Sequence, residues 1–163
     1  AIGAFIPVAP AIKWPNDIYY KDQKISGLLI ENSVTFSDVN YSIVGIGLNV
    51  NQEKFNAYTP PATSLKLVTG KKTDLEKCFN ELSRCIEARY LQLKEKKVSV
   101  INHDYKKAMY RFGEFCFYKK GKLRFKARIT DVMTDGKLVL ENENGKFESF
   151  RFKEISFVID SEK

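Results

Sequence analysis

The sequence predicts an α+β fold, a mixed β-sheet with helices packed on one face, followed by a small β-barrel. Three observations carry this. Residues 11–50 hold β-branched or apolar runs, KISGLLIEN (24–32) and YSIVGIGLNV (41–50), set between polar turns. Residues 73–112 place apolar side chains at three- and four-residue spacings, the period of a helix face. The last fifty residues are short β-prone runs broken by glycine turns.

In chain order, AIKW is a first strand that the turn-forming Pro15-Asn16-Asp17 ends, and Ile18-Tyr19-Tyr20 precedes a polar turn at Lys21-Asp22-Gln23. A polar, proline-terminated loop follows from Gln52 to Pro61, a length common in functional or mobile loops. Thr73 and Glu76 form a T-x-x-E capping box. It opens a helix to about Lys96 whose stripe is Leu75, Cys78, Phe79, Leu82, Cys85, Ile86 and Leu93. Ile101, Tyr105, Ala108, Met109 and Phe112 predict a shorter helix that Gly113 terminates. EFCFY, LRFKARITDV, KLVLE, KFESFRF and ISFVI are then short strands, with Lys120-Gly121, Asp135-Gly136 and Asn144-Gly145 as turns. Five strands at this spacing predict a small barrel of SH3-like type over 114–163, a second domain after a first over 1–113.

Composition narrows the function. With 44% hydrophobic and 13% aromatic residues the chain can build a core. No apolar run approaches the roughly 20 residues of a membrane span. The single histidine, His103, excludes a multi-histidine metal site. Cys78, Cys85 and Cys116 form no CxxC pair, as expected of reduced thiols in a soluble cytoplasmic protein. The net charge of +7 is shared between the halves, with 16 basic and 11 acidic residues in 1–113 and 11 and 9 in 114–163. There is no arginine-rich block, and the charge by itself argues only for an acidic partner or substrate.

The chemistry-bearing residues cluster in the first sixty-five. In KWPND (13–17), Pro15 fixes its own φ and forces Trp14 to be extended, so Lys13 and Trp14 point to opposite faces. If Trp14 faces the core, Lys13 faces a cleft or water. In GIGLNVN (45–51), Gly45 and Gly47 weaken a strand and are usually kept where a ligand or another backbone comes close. Asn49 and Asn51 supply amides beside that bare backbone. Gly27 belongs to the same picture or marks a β-bulge.

KWPND, KISGLLIE, GIGLNVN and PATSL (61–65), in this order and spacing, resemble the catalytic domain of the biotin–protein ligases (biotin–[acetyl-CoA-carboxylase] ligases). The resemblance runs from about residue 11 to the end. It implies a cytoplasmic enzyme that joins biotin and Mg2+-ATP into biotinyl-5′-AMP with loss of pyrophosphate. Biotin then passes to a lysine of a biotin carboxyl carrier protein. On the same resemblance, Lys13 matches the lysine that contacts the biotin carboxylate and the α-phosphate, a permanent cation acting as an electrostatic clamp. Gly45, Ile46 and Gly47 match the strand lying against biotin, with Ile18 as an apolar wall and Gly27 beside them. Asn49 matches an asparagine of the adenylate pocket. Asn16 is placed with it or in the turn that supports it, and Asp17 also fixes that turn. No resident metal site is implied, and the family admits homodimerisation through a sheet edge.

An Arg/Gly-rich loop of the form G-R-G-R-x-G-R, which in that family precedes KWPND and folds over biotin and the phosphates, has no counterpart in these residues. Nor is there an N-terminal DNA-binding helix-turn-helix region. The expectation is therefore the C-terminal two thirds of a ligase, with AIGAFIP as the tail of a preceding helix. Three alternatives stand beside it: a truncated non-catalytic remnant or interaction module, a lipoate-type ligase, and a nucleic-acid binder using the positive charge.

Overall fold

In the computed structural model, residues 1–36, 38–56 and 61–159 are described; part of the predicted 52–61 loop, residues 57–60, lies outside them. The chain divides into two compact units, 1–91 and 92–163. The sequence placed that division at 113.

The first unit opens with a single 3-10 turn at Ile2–Ala4, where the sequence suggested the tail of a helix. Four strands follow: β1 (Ala11–Lys13), β2 (Asp17–Tyr20), β3 (Gln23–Thr35) and β4 (Asp38–Leu48), ordered β1-β2-β3-β4 and antiparallel throughout. Parallel pairing is confined to isolated bridges, Lys24 with Ala62 here and Phe112 with Ile129 in the second unit. Helices α1 (Leu65–Thr69) and α2 (Leu75–Lys94) complete the unit. Its core is Ile6, Tyr20, Ile25, Leu65 and Cys78, with Ile18, Leu48 and Val68 packed against it. Leu65 and Cys78 bring both helices to that side of the sheet.

Two helical details differ from the sequence reading. The start of α2 is capped by Asp74, whose carboxylate accepts from the Lys77 N–H at 3.0 Å. Thr73 instead exchanges both backbone bonds with the Asn51 amide, at 2.8 and 2.9 Å. Of the predicted α2 stripe only Cys78 is buried; Leu75, Phe79, Ile86 and Leu93 are exposed among the described residues.

The second unit holds α3 (Val98–Lys107) and β5 (Cys116–Lys120), β6 (Leu123–Val132), β7 (Leu138–Asn142), β8 (Phe147–Phe150) and β9 (Ser156–Phe157). α3 ends at Lys107, five residues before Phe112. Met109 and Tyr110 leave the helix to become buried, and Gly113 (φ 77°) donates its N–H to the Ile129 carbonyl. The five strands form one antiparallel sheet in the order β8-β7-β6-β5-β9. The expected SH3-like barrel is not supported: among the described residues no closed barrel is found, and β8 and β9 are the two edges of the sheet. The three glycine turns are where the sequence put them, each glycine at positive φ.

Ser64 joins loop to helix in the first unit. It is fully buried, donates to the Gln52 carbonyl at 2.6 Å and accepts from the Leu67 N–H at 3.1 Å as the α1 cap. Ser64→Ala leaves the Gln52 carbonyl and a helix N–H without that hydroxyl, a loss of about 0.5–2 kcal/mol. Urea unfolding of the two chains should show it as a lower midpoint at unchanged slope.

Candidate active site

The site is built by register. Lys13 pairs with Asp17 across β1 and β2, Asp17 with Gly27 across β2 and β3, and Gly27 with Gly47 across β3 and β4. Directly opposed residues share a face, so these four form one row across the whole sheet. Leu29 and Gly45 form the next row on the same face, and Tyr19 with Lys24 the row before. Ile18 and Leu48 belong to the other face, packed on the core, and Ile46 points with them. Lys13, Gly27, Gly45 and Gly47 therefore lie on one face, and Ile18 and Ile46 on the other.

A β-bulge makes this row. The two-residue turn Lys21-Asp22 pairs Tyr20 with Gln23 and Tyr19 with Lys24, but Ile18 then pairs with Ser26, leaving Ile25 as the extra residue. Its side chain is fully buried in the core. The PATSL segment holds the bulge in place. Lys24 N–H donates to the Pro61 carbonyl, Thr63 N–H donates to the Lys24 carbonyl, and Asn49 N–H donates to the Ile25 carbonyl, all at 2.9–3.0 Å.

The polar side chains divide into two groups. Asn16 donates to the Leu28 carbonyl at 2.6 Å while its own carbonyl accepts from Leu28 N–H, which fixes the turn to β3. Asn49 donates its side-chain N–H to the Thr63 carbonyl at 3.0 Å. Both asparagines thus spend their amide N–H groups on backbone. The charged residues face the row. Lys24 Nζ lies 2.6 Å from Asp17 Oδ1, and Lys13 Nζ lies over the buried Tyr19 ring, 5.2 Å from its centroid. Trp14 is buried, joined to Pro15 by a cis peptide.

The glycines differ in what surrounds them. A Cβ at Gly27 would meet Lys24 Cε and Nζ at 3.1 Å and Asp17 Oδ1 at 3.4 Å, so the Asp17–Lys24 pair occupies the space a side chain would take. At Gly45 and Gly47 the nearest atoms would be 3.7 and 3.8 Å away, ordinary contact. The sheet itself has no steric need for those two glycines. What they provide is bare backbone on the face that carries the two ammonium groups, a shape that suits an anion with a flat or extended body. Leu29, 64% exposed and opposite Gly45, offers that body an apolar contact.

Lys24, Asp17 and Leu29 are the residues that sequence reasoning left out of binding roles. The available signal was the two-residue turn, which sets Lys24 opposite Tyr19; the bulge beyond it has no sequence mark.

Burial lowers the Lys13 pKa below its ordinary value; Asp17 acts against this and Lys24 adds to it. The Tyr19 hydroxyl is pushed the other way, first by burial and then by Asp17. Lys13 is therefore a cation held less tightly than an ordinary lysine, and an anionic ligand would restore its proton affinity. Among the described residues no cluster of three or more metal-ligating side chains occurs. No helix is long and apolar enough to cross a membrane.

Residues 7–49, the whole of this row, match the family model "Biotin/lipoate A/B protein ligase family". The bifunctional ligase/repressor BirA of Bacillus spizizenii is 38% identical over 82 residues, 48% of this chain and 25% of that protein. The biotin–[acetyl-CoA-carboxylase] ligase of Paracoccus denitrificans is 28% identical over 140 residues, 83% of this chain and 58% of that one. A solved structure of the biotin protein ligase from Aquifex aeolicus in complex with biotin and ATP superposes with a TM-score of 0.73 and 26% identity, over 95% of this chain and 64% of that chain. The chain carries the fold of a biotin–protein ligase catalytic domain. It spans a quarter to somewhat over half the length of these two curated ligases.

The electrostatics of the row can be read directly by NMR. The Lys13 Cε resonance should titrate below those of the other lysines. Asp17→Asn removes the stabilising carboxylate and should move the midpoint further down. Lys24→Met removes a like charge and should move it up. A Lys13 midpoint unmoved in both variants would contradict the row.

Proposed function

We propose that the chain is the biotin- and ATP-binding part of an ATP-dependent biotin–protein ligase, with the cross-strand row of Lys13, Asp17, Gly27 and Gly47 as the observation that carries this reading. In the first step the biotin carboxylate attacks the α-phosphorus of ATP and pyrophosphate leaves. Negative charge gathers where two anions meet, and stabilising it is an electrostatic task. Lys13 and Lys24 supply the positive charge, with Asp17 holding Lys24 in place. Gly45 and Gly47 let the body of biotin lie on the strand, with Leu29 against it and Gly27 under the ion pair. Ile18 and Ile46 support this surface from the core side. Asn49 and Asn16 fix the backbone around the nucleotide and do so through their own hydrogen bonds. In the second step the amine of a carrier-protein lysine attacks the acyl carbon and AMP leaves. The overall basic charge favours docking of an acidic carrier domain.

Mg2+ enters on this reading as part of the Mg2+-ATP substrate. Asp17 is the one carboxylate in the row of Lys13, Asp17, Gly27 and Gly47 and is committed to Lys24, so the row does not offer a resident metal site of its own.

Biotin-dependent ATP–pyrophosphate exchange tests the first step. Lys13→Ala and Lys24→Ala should each lower it by about 10²–10³-fold, the scale seen when one electrostatic stabiliser is removed. Exchange absent from the folded wild-type chain, and not recovered when the chain is embedded in any longer natural sequence, would sink the ligase reading. A second test has effects of opposite sign. Gly47→Ala should leave stability unchanged or raise it by about 0.5–1 kcal/mol, while raising the KM for biotin. A variant that loses stability instead would show that the fold needs this glycine.

A further inference from the structure

We propose that the outer face of the β5–β6 hairpin is a binding surface for single-stranded nucleic acid. Residues 115–130 contain six cations and no acid, a bias that the half-chain totals conceal. The register sorts them. Phe117 pairs with Lys126 and Lys119 with Arg124, so Phe117 and Lys119 on β5 share one face with Arg124, Lys126 and Arg128 on β6. Phe115, two residues before Phe117, continues the row. Tyr118, Ala127 and Ile129 point to the other side and are fully buried.

Rings and cations interleave on this face. The Arg124 guanidinium lies over the Phe117 ring at 4.1 Å, and that of Arg128 over Phe115 at 5.2 Å. Both rings remain about two fifths exposed, at 40% and 42%. Lys126 and Arg128 are ion-paired to Glu143 and Glu141 on the strand side of the patch. Lys119 and, in the turn, Lys122 extend the positive charge along the hairpin from Arg124. All three are exposed.

The occupant follows from what this surface offers. Phosphates match the cations, and a base has the flat π-face that phenyl and guanidinium groups stack against. A duplex hides its bases. An acidic protein surface would meet the cations and leave the rings without a partner. A single strand supplies charge and ring in alternation, as the hairpin does. This site is separate from the ligase row and does not depend on the reading of that row.

The test is fluorescence anisotropy with the full chain and a labelled 16-nucleotide oligothymidylate. With phosphate contacts from Lys119, Lys122 and Arg124, log affinity against log salt should fall with a slope of about −2. Affinity should therefore drop about 20-fold between 50 and 200 mM salt. Phe117→Ala should weaken binding about tenfold or more through lost stacking. The exposed charge reversals Lys119→Glu and Lys122→Glu, which spare the sheet interior, should weaken it and flatten the salt slope even if the phenylalanine variant does not fold. No binding at 50 mM salt overturns the proposal. So does equal affinity for inorganic polyphosphate or poly-glutamate, or a preference for duplex of the same sequence. Biotin-dependent exchange, read separately, is unaffected by any of these outcomes.

Discussion

The geometry of the Lys13-to-Gly47 row depends on one extra residue in β3. Unbroken pairing from the Lys21-Asp22 turn would set Ser26 opposite Asp17. The bulge at Ile25 advances β3 by one, so Gly27 arrives there instead and the Asp17–Lys24 pair has room to cross it. A one-residue slip in a strand exchanges its two faces, so without the bulge Gly27 and Leu29 would turn into the core and Leu28 would turn out. The same residue anchors the interior, since Ile25 is fully buried beside Tyr20 and Leu65. Core packing and site register are therefore one constraint. The backbone bonds from Pro61, Thr63 and Asn49 enforce it by holding Lys24 and the extra residue Ile25 itself.

The Asp17–Lys24 pair gains its meaning from position more than from stability. The Lys24 side chain is 42% exposed. Exposed pairs of this kind contribute about 0–1 kcal/mol, too little to be a main support of the fold. What the pair does is place one ammonium beside another. Lys13 and Lys24 share a face with one carboxylate between them, which leaves the cluster with a net positive charge. Burial already disfavours the Lys13 cation, and Lys24 adds to that cost. An arrangement unfavourable in the empty protein becomes favourable when two anionic groups arrive, because they repay the burial and the repulsion together. This is electrostatic preorganisation: the cost is met in folding, before the reaction begins.

Much of this was legible in the residues. Trp14 is buried and Lys13 half-buried over the Tyr19 ring. The β3 and β4 runs, both long helices and all three glycine turns of the second unit stand near their predicted places. The illegible parts share a cause: each depends on contacts distant in sequence. A bulge has no residue signature, so the sequence did not reveal that Ile18 and Ile46 lie on the opposite face from the glycines. The capping box at Thr73 was overridden because Asn51 takes the Thr73 backbone, leaving Asp74 to cap α2. The second helix ends early because Met109 and Tyr110 are worth more buried than in a further helical turn. Five short strands do suggest a barrel, but closure requires the edge strands to meet, and strand count carries no information about that.

The glycines show how a ligand-binding face can be told from a merely irregular one. Gly27 has an internal reason to exist, because a Cβ would press on the ion pair. Gly45 and Gly47 have none: the sheet would accept alanine at ordinary contact distance, and each glycine weakens the strand by about 0.5–1 kcal/mol. A cost without return inside the fold points to a return outside it. Both lie on the face that carries Lys13 and Lys24, and neither lies on the face that packs the core. Charge and bareness coincide on one side of the sheet, and that coincidence, more than either feature alone, gives this surface the shape and charge that suit an anion with an extended body.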